Sequence, residues 1–329
     1  MYWLKHHKKF FLFFIKAFIS CGIIFILTKR SGLNIKLLIS QKIDPIMGLM
    51  AIVFMVFQLV LGAMRWGMVI KALSGRMSWM KTFSGYYAGN FFSQVLPGAI
   101  AGDIVRIWAS QRTGLSFNLS VYSVLLERGI TVLGLVILVV ITQPFLLQEV
   151  PNLPGRWVFP SILFVSLLGL GSICLLDRLP AHWSQWKIIR GFFALSSHTK
   201  QLFFKSFLGA GSLILAIISQ INLSLVAWFL AMGLGINVSV LDCLVLVPPV
   251  ILLMVAPISI AGWGVREMAM VSAFGFVGVP EDRALLLSIF FGITSLVASL
   301  PGGLFLLFSK DVQKPKPTEV LVDGKPERP

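Results

Sequence analysis

Two ten-residue stretches of this sequence combine residue types that could bind an anion. Residues 97–106 read PGAIAGDIVR and residues 257–266 read PISIAGWGVR, so both fit the pattern PxxIAGxxVR. Proline ends an incoming helix, and glycine permits a tight return of the backbone. The helix that begins after each break presents free N–H groups and its positive dipole end close to Arg106 or Arg266. Each break is therefore a predicted anion site, and the planar fork of arginine suits phosphate.

Ionisable residues nearby could complete this site. Asp103 is expected to N-cap the helix that follows the first break. This role does not exclude a second role in binding. Glu127 and Arg128 lie about 12 Å into an apolar span at helical rise, where ionisable groups are costly. Because sequence neighbours do not face each other on a helix, Glu127 is expected to pair with Arg106 or Arg266. That pair is either structural or part of a substrate site.

The predicted substrate-binding set joins both motifs, because the two breaks are expected to meet at mid-membrane depth from opposite faces, with one phosphate bound between Arg106 and Arg266. Its members are polar, charged or backbone-permissive residues: Asn90, Gly102, Asp103, Arg106, Glu127, Arg128, Gly262, Gly264, Arg266 and Glu267, with Pro97 and Pro257 as the break residues. Glu267 has no acidic counterpart in the first motif, where Ile107 stands, so the two copies differ at their centre. An alternative for both arginines is that they snorkel to the membrane surface.

The elements that must position these residues are membrane helices. The 329-residue chain is 57% hydrophobic and 12% charged. A span needs roughly 20 apolar residues at about 1.5 Å rise each. Six full spans are predicted, over residues 10–28, 46–64, 119–141, 158–176, 206–232 and 284–308. Asn90, Gln94, Gln220 and Asn222 are polar on otherwise apolar segments and are expected to form interhelical hydrogen bonds.

The positions of the basic residues predict the orientation. Under the positive-inside rule, the N-terminus, residues 65–81, residues 177–205 and the tail are cytoplasmic. The loop at residues 29–45 conflicts with this scheme and its side stays open. Residues 82–118 then enter from the inside and return, and residues 241–278 do the same from the outside. The returning helices should begin near Ile104 and Val265; two full helices in each place are the alternative.

The repeated motif predicts an inverted repeat. GITVL at residue 129 and GITSL at residue 292 extend the similarity. Repeat A would cover residues 10–141 and repeat B residues 158–308, in one membrane domain at 1–308 with a disordered cytoplasmic tail at 309–329. The predicted fold is an all-α polytopic membrane protein with about six full transmembrane helices and two oppositely oriented re-entrant helical hairpins. Broken helices in inverted repeats are typical of transporters.

Other functional classes find little support. The net charge of +15 is better explained by membrane orientation and anionic lipid than by nucleic acid, for which no motif is present. Cys21, Cys174 and Cys243 lie far apart without metal spacing, so no metal or cofactor is predicted. All four histidines fall in predicted loops or the terminus. An enzyme is therefore not expected, although a carboxylate- or arginine-based lipid-modifying transferase stays open.

The sequence resembles the lysylphosphatidylglycerol synthase transmembrane, or flippase-like, family. The likeness rests on Asn90, Pro97, Gly102, Asp103, Arg106, Glu127 and Arg128 in the first block, and on Pro257, Gly262, Gly264, Arg266 and Glu267 in the second. It implies a bacterial or archaeal inner-membrane protein that moves lipids or lipid-linked head groups between leaflets. The synthase members carry a soluble aminoacyl-transfer domain after the membrane part. Here a short tail follows, so lipid aminoacylation is not expected.

Two functions follow from these patterns. The first is a lipid flippase or translocase that moves a phospholipid or a lipid-linked phosphate or glycan head group across the inner membrane. The second is an accessory membrane subunit of a separate lipid-modifying or glycosylating enzyme. The expected partners are membrane lipids, anionic or phosphate-bearing. The particular lipid and the oligomeric state are not determined by the sequence.

Overall fold

The computed structural model describes residues 43–95, 100–149, 157–175, 187–255 and 263–303. Over these ranges the chain is all-α. In chain order the helices are α1 (Pro45–Ala72), α2 (Trp79–Val95), α3 (Ala101–Arg112), α4 (Phe117–Glu149), α5 (Val158–Leu175), α6 (Lys187–Phe204), α7 (Phe207–Gly233), α8 (Val240–Val255), α9 (Val265–Gly275) and α10 (Glu281–Ser299).

Five of these helices are long and apolar enough to cross a membrane. They are α1, α4, α5, α7 and α10, and they correspond to the second to sixth predicted spans. The first predicted span, the break residues Pro97 and Pro257, Gly262 and the tail lie outside the described residues. The chain is therefore a multi-pass membrane protein with the predicted helix order, as far as the described residues reach.

Two helix pairs, α2 with α3 and α8 with α9, consist of helices shorter than these five. The helices α3 and α9 have 12 and 11 residues, which is about 18 Å or less at helical rise and well short of the roughly 30 Å hydrocarbon core. The helix α3 packs against α2, and α9 packs against α8. The helix α9 begins at the predicted Val265, whereas α3 begins at Ala101, three residues before the predicted start at Ile104.

Two further predictions are wrong in detail. The predicted second span ends at residue 64, but α1 continues to Ala72, because apolar residues resume directly after Arg65. Arg65 is consequently inside a membrane helix and not in a polar loop. Residues 177–205 were expected to form a cytoplasmic loop, yet they contain α6, whose Ser196, Thr199 and Leu202 are buried.

Two of the long helices, α1 and α7, begin after residues whose side chains cap them. Asp44 precedes α1 and accepts hydrogen bonds from the backbone N–H groups of Ile46 and Met47, at 2.8 and 3.2 Å, with Pro45 at the first helical position. Ser206 caps α7 in the same way through the N–H group of Leu208. Side-chain oxygens there satisfy backbone donors that have no partner within the helix.

The helices α1 to α4, called the first half, and α5 to α10, called the second half, pack against each other in similar ways. The helices α1 and α7 form the most extensive contact at the centre of the bundle. The last long helix of the first half, α4, packs against α7 and α8 of the second half, and α10 packs against α1 and α2 of the first half. Likewise α3 packs on α4, and α9 packs on α10. Each half therefore contributes its closing helix to the packing of the other half.

Polar side chains join helices within this bundle, as predicted. The Asn222 amide donates to the Phe54 carbonyl at 2.9 Å and to Gln58 Oε1 at 3.0 Å, joining α7 to α1. The Gln94 amide donates to Ser295 Oγ at 2.8 Å, joining α2 to α10. Gln220 differs, because its buried Oε1 has no hydrogen-bond partner in the described part of the chain.

We expect the α4–α7 contact to be sensitive to a single methyl group at Gly134. A Cβ atom there would lie 2.7 Å from the Cβ atom of Ala216, whereas a Cβ atom at Gly129 of the same helix would meet nothing within 4 Å. Gly134→Ala should lower the free energy of unfolding by about 1–3 kcal/mol through overpacking. Gly129→Ala should leave it unchanged or raise it by up to about 1 kcal/mol, because alanine favours a helix over glycine.

The measurement is thermal unfolding of both variants in the same detergent. Equal unfolding temperatures for the two variants would contradict the close approach of α4 and α7.

Candidate functional site

A buried carboxylate joins three helices at the centre of the site. Glu127 of α4 accepts hydrogen bonds on Oε1 from Arg65 Nε at 2.8 Å and from Arg65 Nη2 at 2.5 Å. Its other oxygen, Oε2, lies 2.8 Å from Nη1 of Arg106 on α3. The side chains of Glu127 and Arg65 are each 3% exposed, and that of Arg106 is 7% exposed. Two guanidinium groups therefore share one buried carboxylate.

A second ion pair extends the network toward the surface. Asp103 Oδ2 accepts a hydrogen bond from Nε of Arg128 at 2.5 Å. Its Oδ1 lies 3.7 Å from Nη1 of Arg106. The Arg128 side chain is 48% exposed, so this end of the network is open whereas the Glu127 end is closed. Glu127 and Arg128 are sequence neighbours, and they contact different partners, as their helical positions predict.

Aromatic rings hold the guanidinium of Arg106. Its Cζ atom lies 4.6 Å from the ring centroid of Trp66 and 4.8 Å from that of Tyr86. Trp66 is itself fixed by a hydrogen bond from its indole N–H to Ser123 Oγ at 3.1 Å. Two donors of Arg106, Nε and Nη2, are buried and have no hydrogen-bond partner among the residues that the structure describes. A buried arginine with two unused donors is an unusual and costly arrangement, because unsatisfied donors lose their hydration without compensation.

Glycine allows the approach that puts Arg106 at this position. A Cβ atom on Gly102 would collide with Ser93 Oγ and the Gly89 carbonyl, and one on Gly89 would collide with the Arg106 side chain. The helices α2 and α3 therefore cross with almost no side chain between them. Gly102, the second residue of α3, therefore has a role in helix packing.

These groups surround a cavity of 280 Å³. Its polar and charged lining includes Arg65, Tyr86, Asn90, Ser93, Asp103, Arg106, Glu127, Arg128 and Thr131, and Met254 of α8 contributes from the second half. Three arginines face two carboxylates, so these five groups carry a net charge of +1 when all are ionised. The cavity is large enough for a phosphate group and carries the sign that attracts an anion.

The second motif forms a separate buried cluster. Arg266 donates to Glu267 Oε1 from Nη2 at 2.6 Å and from Nε at 3.1 Å, and Nε also lies 3.2 Å from Ser288 Oγ. Glu267 Oε2 accepts the backbone N–H of Gly264 at 2.5 Å. Gly264 has a φ of 88°, which favours glycine. This cluster is closed, since Arg266 and Glu267 are 3% and 0% exposed.

The structure brings together most of the predicted first-block residues. Asn90, Gly102, Asp103, Arg106, Glu127 and Arg128 line one cavity, whereas Gly264, Arg266 and Glu267 do not line it. The predicted buried pair of Glu127 with Arg106 is confirmed.

Several residues of the site were not predicted from the sequence, among them Arg65, Trp66 and Tyr86, which contact Glu127 or Arg106. Arg65 could have been predicted from the sequence, because a single basic residue that is followed by more apolar residues is typical of a membrane helix that continues past it.

Two alternatives considered for the charged residues are wrong. Asp103 does not N-cap α3, because the cap residue is Ile100 and Asp103 lies in the first turn. An acid there still complements the positive end of the helix dipole. Arg106 and Arg266 do not snorkel to a surface, because both side chains are buried and contact carboxylates inside the protein.

Comparison with known proteins identifies the membrane part. A family model described as the lysylphosphatidylglycerol synthase TM region matches residues 13–302, which is most of the chain. No curated protein matches the chain. Among the described residues, no group of three or more histidine, cysteine, aspartate or glutamate side chains is arranged to hold a metal ion.

Loss of the shared carboxylate should destabilise the protein. In Glu127→Gln, the buried guanidinium groups of Arg65 and Arg106 would both lose the carboxylate that they share, and the remaining carboxylate near Arg106 would be Asp103, at 3.7 Å. The free energy of unfolding should fall by about 3 kcal/mol or more. Denaturant titration in detergent, monitored by intrinsic fluorescence, measures this change.

Glu281→Gln is the control, because Glu281 is exposed in the first turn of α10. Its removal should cost at most about 1 kcal/mol. Similar stabilities for the two variants would show that Glu127 does not hold the cluster together.

Proposed function

Because the chain belongs to the lysylphosphatidylglycerol synthase transmembrane family, we propose that it is a lipid flippase. It moves a phospholipid or a lipid-linked phosphate head group across the membrane. The phosphate binds in the cavity beside Arg106, and the hydrocarbon chains stay in the bilayer. The observation that carries this proposal is the pair of buried donors on Arg106 that have no partner within the described ranges of the chain.

The unused donors define the chemistry of the ligand. Nη1 of Arg106 is occupied by Glu127, whereas Nε and Nη2 remain available. These two nitrogens lie on one edge of the guanidinium, and that edge can hold two oxygens of one phosphate or carboxylate. The aromatic rings of Trp66 and Tyr86 fix the plane of the guanidinium. The donors are fully buried, so binding needs a small shift of the surrounding side chains.

The charge of the cavity favours a singly charged head group. Three arginines against two carboxylates leave an excess of +1, which one phosphodiester neutralises. A ligand with two or more negative charges would leave an uncompensated charge in a low-dielectric site. Asp103 and the half-exposed Arg128 form the open end of the network, so the head group enters there and displaces or rearranges their ion pair.

The two halves provide for access from both leaflets. The proposed arrangement is an inverted repeat in which α2 with α3, and α8 with α9, are re-entrant hairpins from opposite faces. The short α3 and α9, the shared motif and the reciprocal packing of α4 and α10 support it.

Arg266 and Glu267 are the counterpart of the cavity in the second half. Arg266 is stacked on Trp263 at 4.4 Å, as Arg106 is stacked on Trp66. In this conformation its guanidinium is closed by Glu267, Ser288 and the backbone at Gly292. We propose that this cluster opens when the first one closes, so that Gly264, Arg266 and Glu267 receive the phosphate in the opposite orientation.

The proposed location is the inner membrane of a bacterium or archaeon, with both termini in the cytoplasm. The excess of basic residues around residues 65–81 supports this orientation, since Arg76 and Lys81 are exposed at that end of α1 and α2.

Transport should depend on the shape of the Arg106 side chain and not only on its charge. Arg106→Lys keeps the charge but loses the planar fork, so the initial rate of leaflet exchange should fall at least about tenfold. The assay follows a fluorescent phosphatidylglycerol in liposomes by dithionite quenching. A fluorescent glucosylceramide, which lacks phosphate, should not be moved.

Arg112→Lys is the matched control. Arg112 lies on the same helix and is also stacked on an aromatic ring, Trp108, at 4.5 Å, but it does not line the cavity. Its transport rate should equal that of the wild type. The proposed function is wrong if Arg106→Lys folds and transports normally, or if the wild-type protein moves glucosylceramide as fast as phosphatidylglycerol.

Arg266→Lys tests the proposal for the second half. The variant should slow transport about as strongly as Arg106→Lys, because each cycle passes through both clusters. Binding of phosphatidylglycerol to the detergent-solubilised protein should be nearly unchanged, because the phosphate binds at Arg106 in this conformation. Loss of binding in Arg266→Lys together with an unchanged melting temperature would mean that both arginines hold the ligand at once.

A further inference from the structure

A second opening lies at one end of α1 and shares no lining residue with the central cavity. It is a groove of 780 Å³ between the last turns of α1, the turn that leads to α2, the beginning of α2 and the beginning of α7. Its volume lies in the range of ligand-binding sites. Neither of the two motifs contributes to it, so the proposed transport site does not account for it.

The lining of the groove is apolar with basic residues at its end. Met64, Met68 and Met77 provide long, flexible side chains that adapt to an irregular partner such as an acyl chain. The charged lining residues are Lys71 and Arg76, and no acidic residue lines the groove. The surface is therefore complementary to a ligand that is apolar over most of its length and negative at one end.

The length of α1 indicates how the groove is oriented in the bilayer. Its 28 residues extend about 42 Å at helical rise, beyond the roughly 30 Å hydrocarbon core. A helix of this length centred on the core extends about 6 Å beyond it at each end, which puts Lys71, next to the last residue of α1, at the level of the lipid head groups. Met64 lies two turns earlier, about 10 Å deeper. Trp79, whose side chain is 47% exposed, lines the same end, as is common for tryptophan at the membrane surface.

We propose that this groove binds one anionic phospholipid as a resident ligand that is not transported. Its phosphate lies between Lys71 and Arg76, and one acyl chain follows Met64 and Met68 along α1. The bound lipid covers the junction of α1, α2 and α7 beside the transport cavity.

Tryptophan quenching by lipids with brominated acyl chains tests this proposal. The full chain is placed in phosphatidylcholine nanodiscs, and brominated phosphatidylglycerol or brominated phosphatidylcholine is titrated in. The signal of Trp79 is the difference between the wild type and Trp79→Phe. Brominated phosphatidylglycerol should quench Trp79 at a roughly tenfold lower mole fraction than phosphatidylcholine, because two basic residues favour the anionic lipid.

Two variants separate the head-group contact from the acyl contact. Lys71→Ala with Arg76→Ala should abolish the preference for phosphatidylglycerol. Lys81→Ala with Lys205→Ala, which removes the same charge from exposed residues outside the groove, should retain it. Gly67→Leu should reduce quenching by both lipids although the charges remain. A Cβ atom at Gly67 makes only an ordinary contact, 3.5 Å from the Thr82 methyl group, so this variant should fold.

Several results would overturn the proposal. One is equal quenching by the two lipids in the wild type. Another is an equal loss of preference in both double variants, which would indicate diffuse surface charge. A third is no quenching of Trp79 by either lipid, which would indicate that another part of the chain fills the groove. Arg106→Lys should leave quenching of Trp79 unchanged, so failure of the transport site and failure of this site are distinguishable.

Discussion

The structure depends on one carboxylate that neutralises two arginines inside the bundle. Glu127 lies about 15 Å from the start of α4 at helical rise, and Arg65 lies about 10 Å from the end of α1. Charges at such depth are tolerated only when they are paired and hydrogen-bonded. Both oxygens of Glu127 are used, one for each arginine. The carboxylate therefore fixes α1, α3 and α4 relative to one another, and Ser219 adds α7.

The same distribution of charges supports the proposed anion site. Glu127 and Asp103 cannot satisfy three arginines, and the deficit falls on Arg106, whose Nε and Nη2 have no partner in the described part of the chain. Aromatic packing on Trp66 and Tyr86 stabilises the guanidinium without consuming these donors. A structural ion pair and the proposed binding site are thus compatible. The carboxylate holds the arginine in place, and in the proposed site the other edge of the arginine binds the phosphate.

The two copies of the motif are chemically unequal. In the first copy the acid that faces the arginine comes from another helix, which leaves a cavity between α3 and α4. In the second copy the acid is Glu267, the next residue along the chain, and its other oxygen binds the N–H group of Gly264 at the start of α9. An acid from the same helix closes the cluster on itself, whereas an acid from a neighbouring helix leaves space at the junction.

The sequence by itself determined the membrane class, five of the helices in the described residues and the position of both motifs, because these follow from apolar runs and helix-breaking residues along the chain. It also indicated that Glu127 would meet an arginine. Only the tertiary structure decided that Arg65 belongs to the site and that Arg266 pairs with its own neighbour. Several arginines were available to each carboxylate, and the choice depends on how each helix is rotated and where helices cross. The rotation of each helix and the points where helices cross are set by contacts between residues on different helices, such as Gly89 with Gly102.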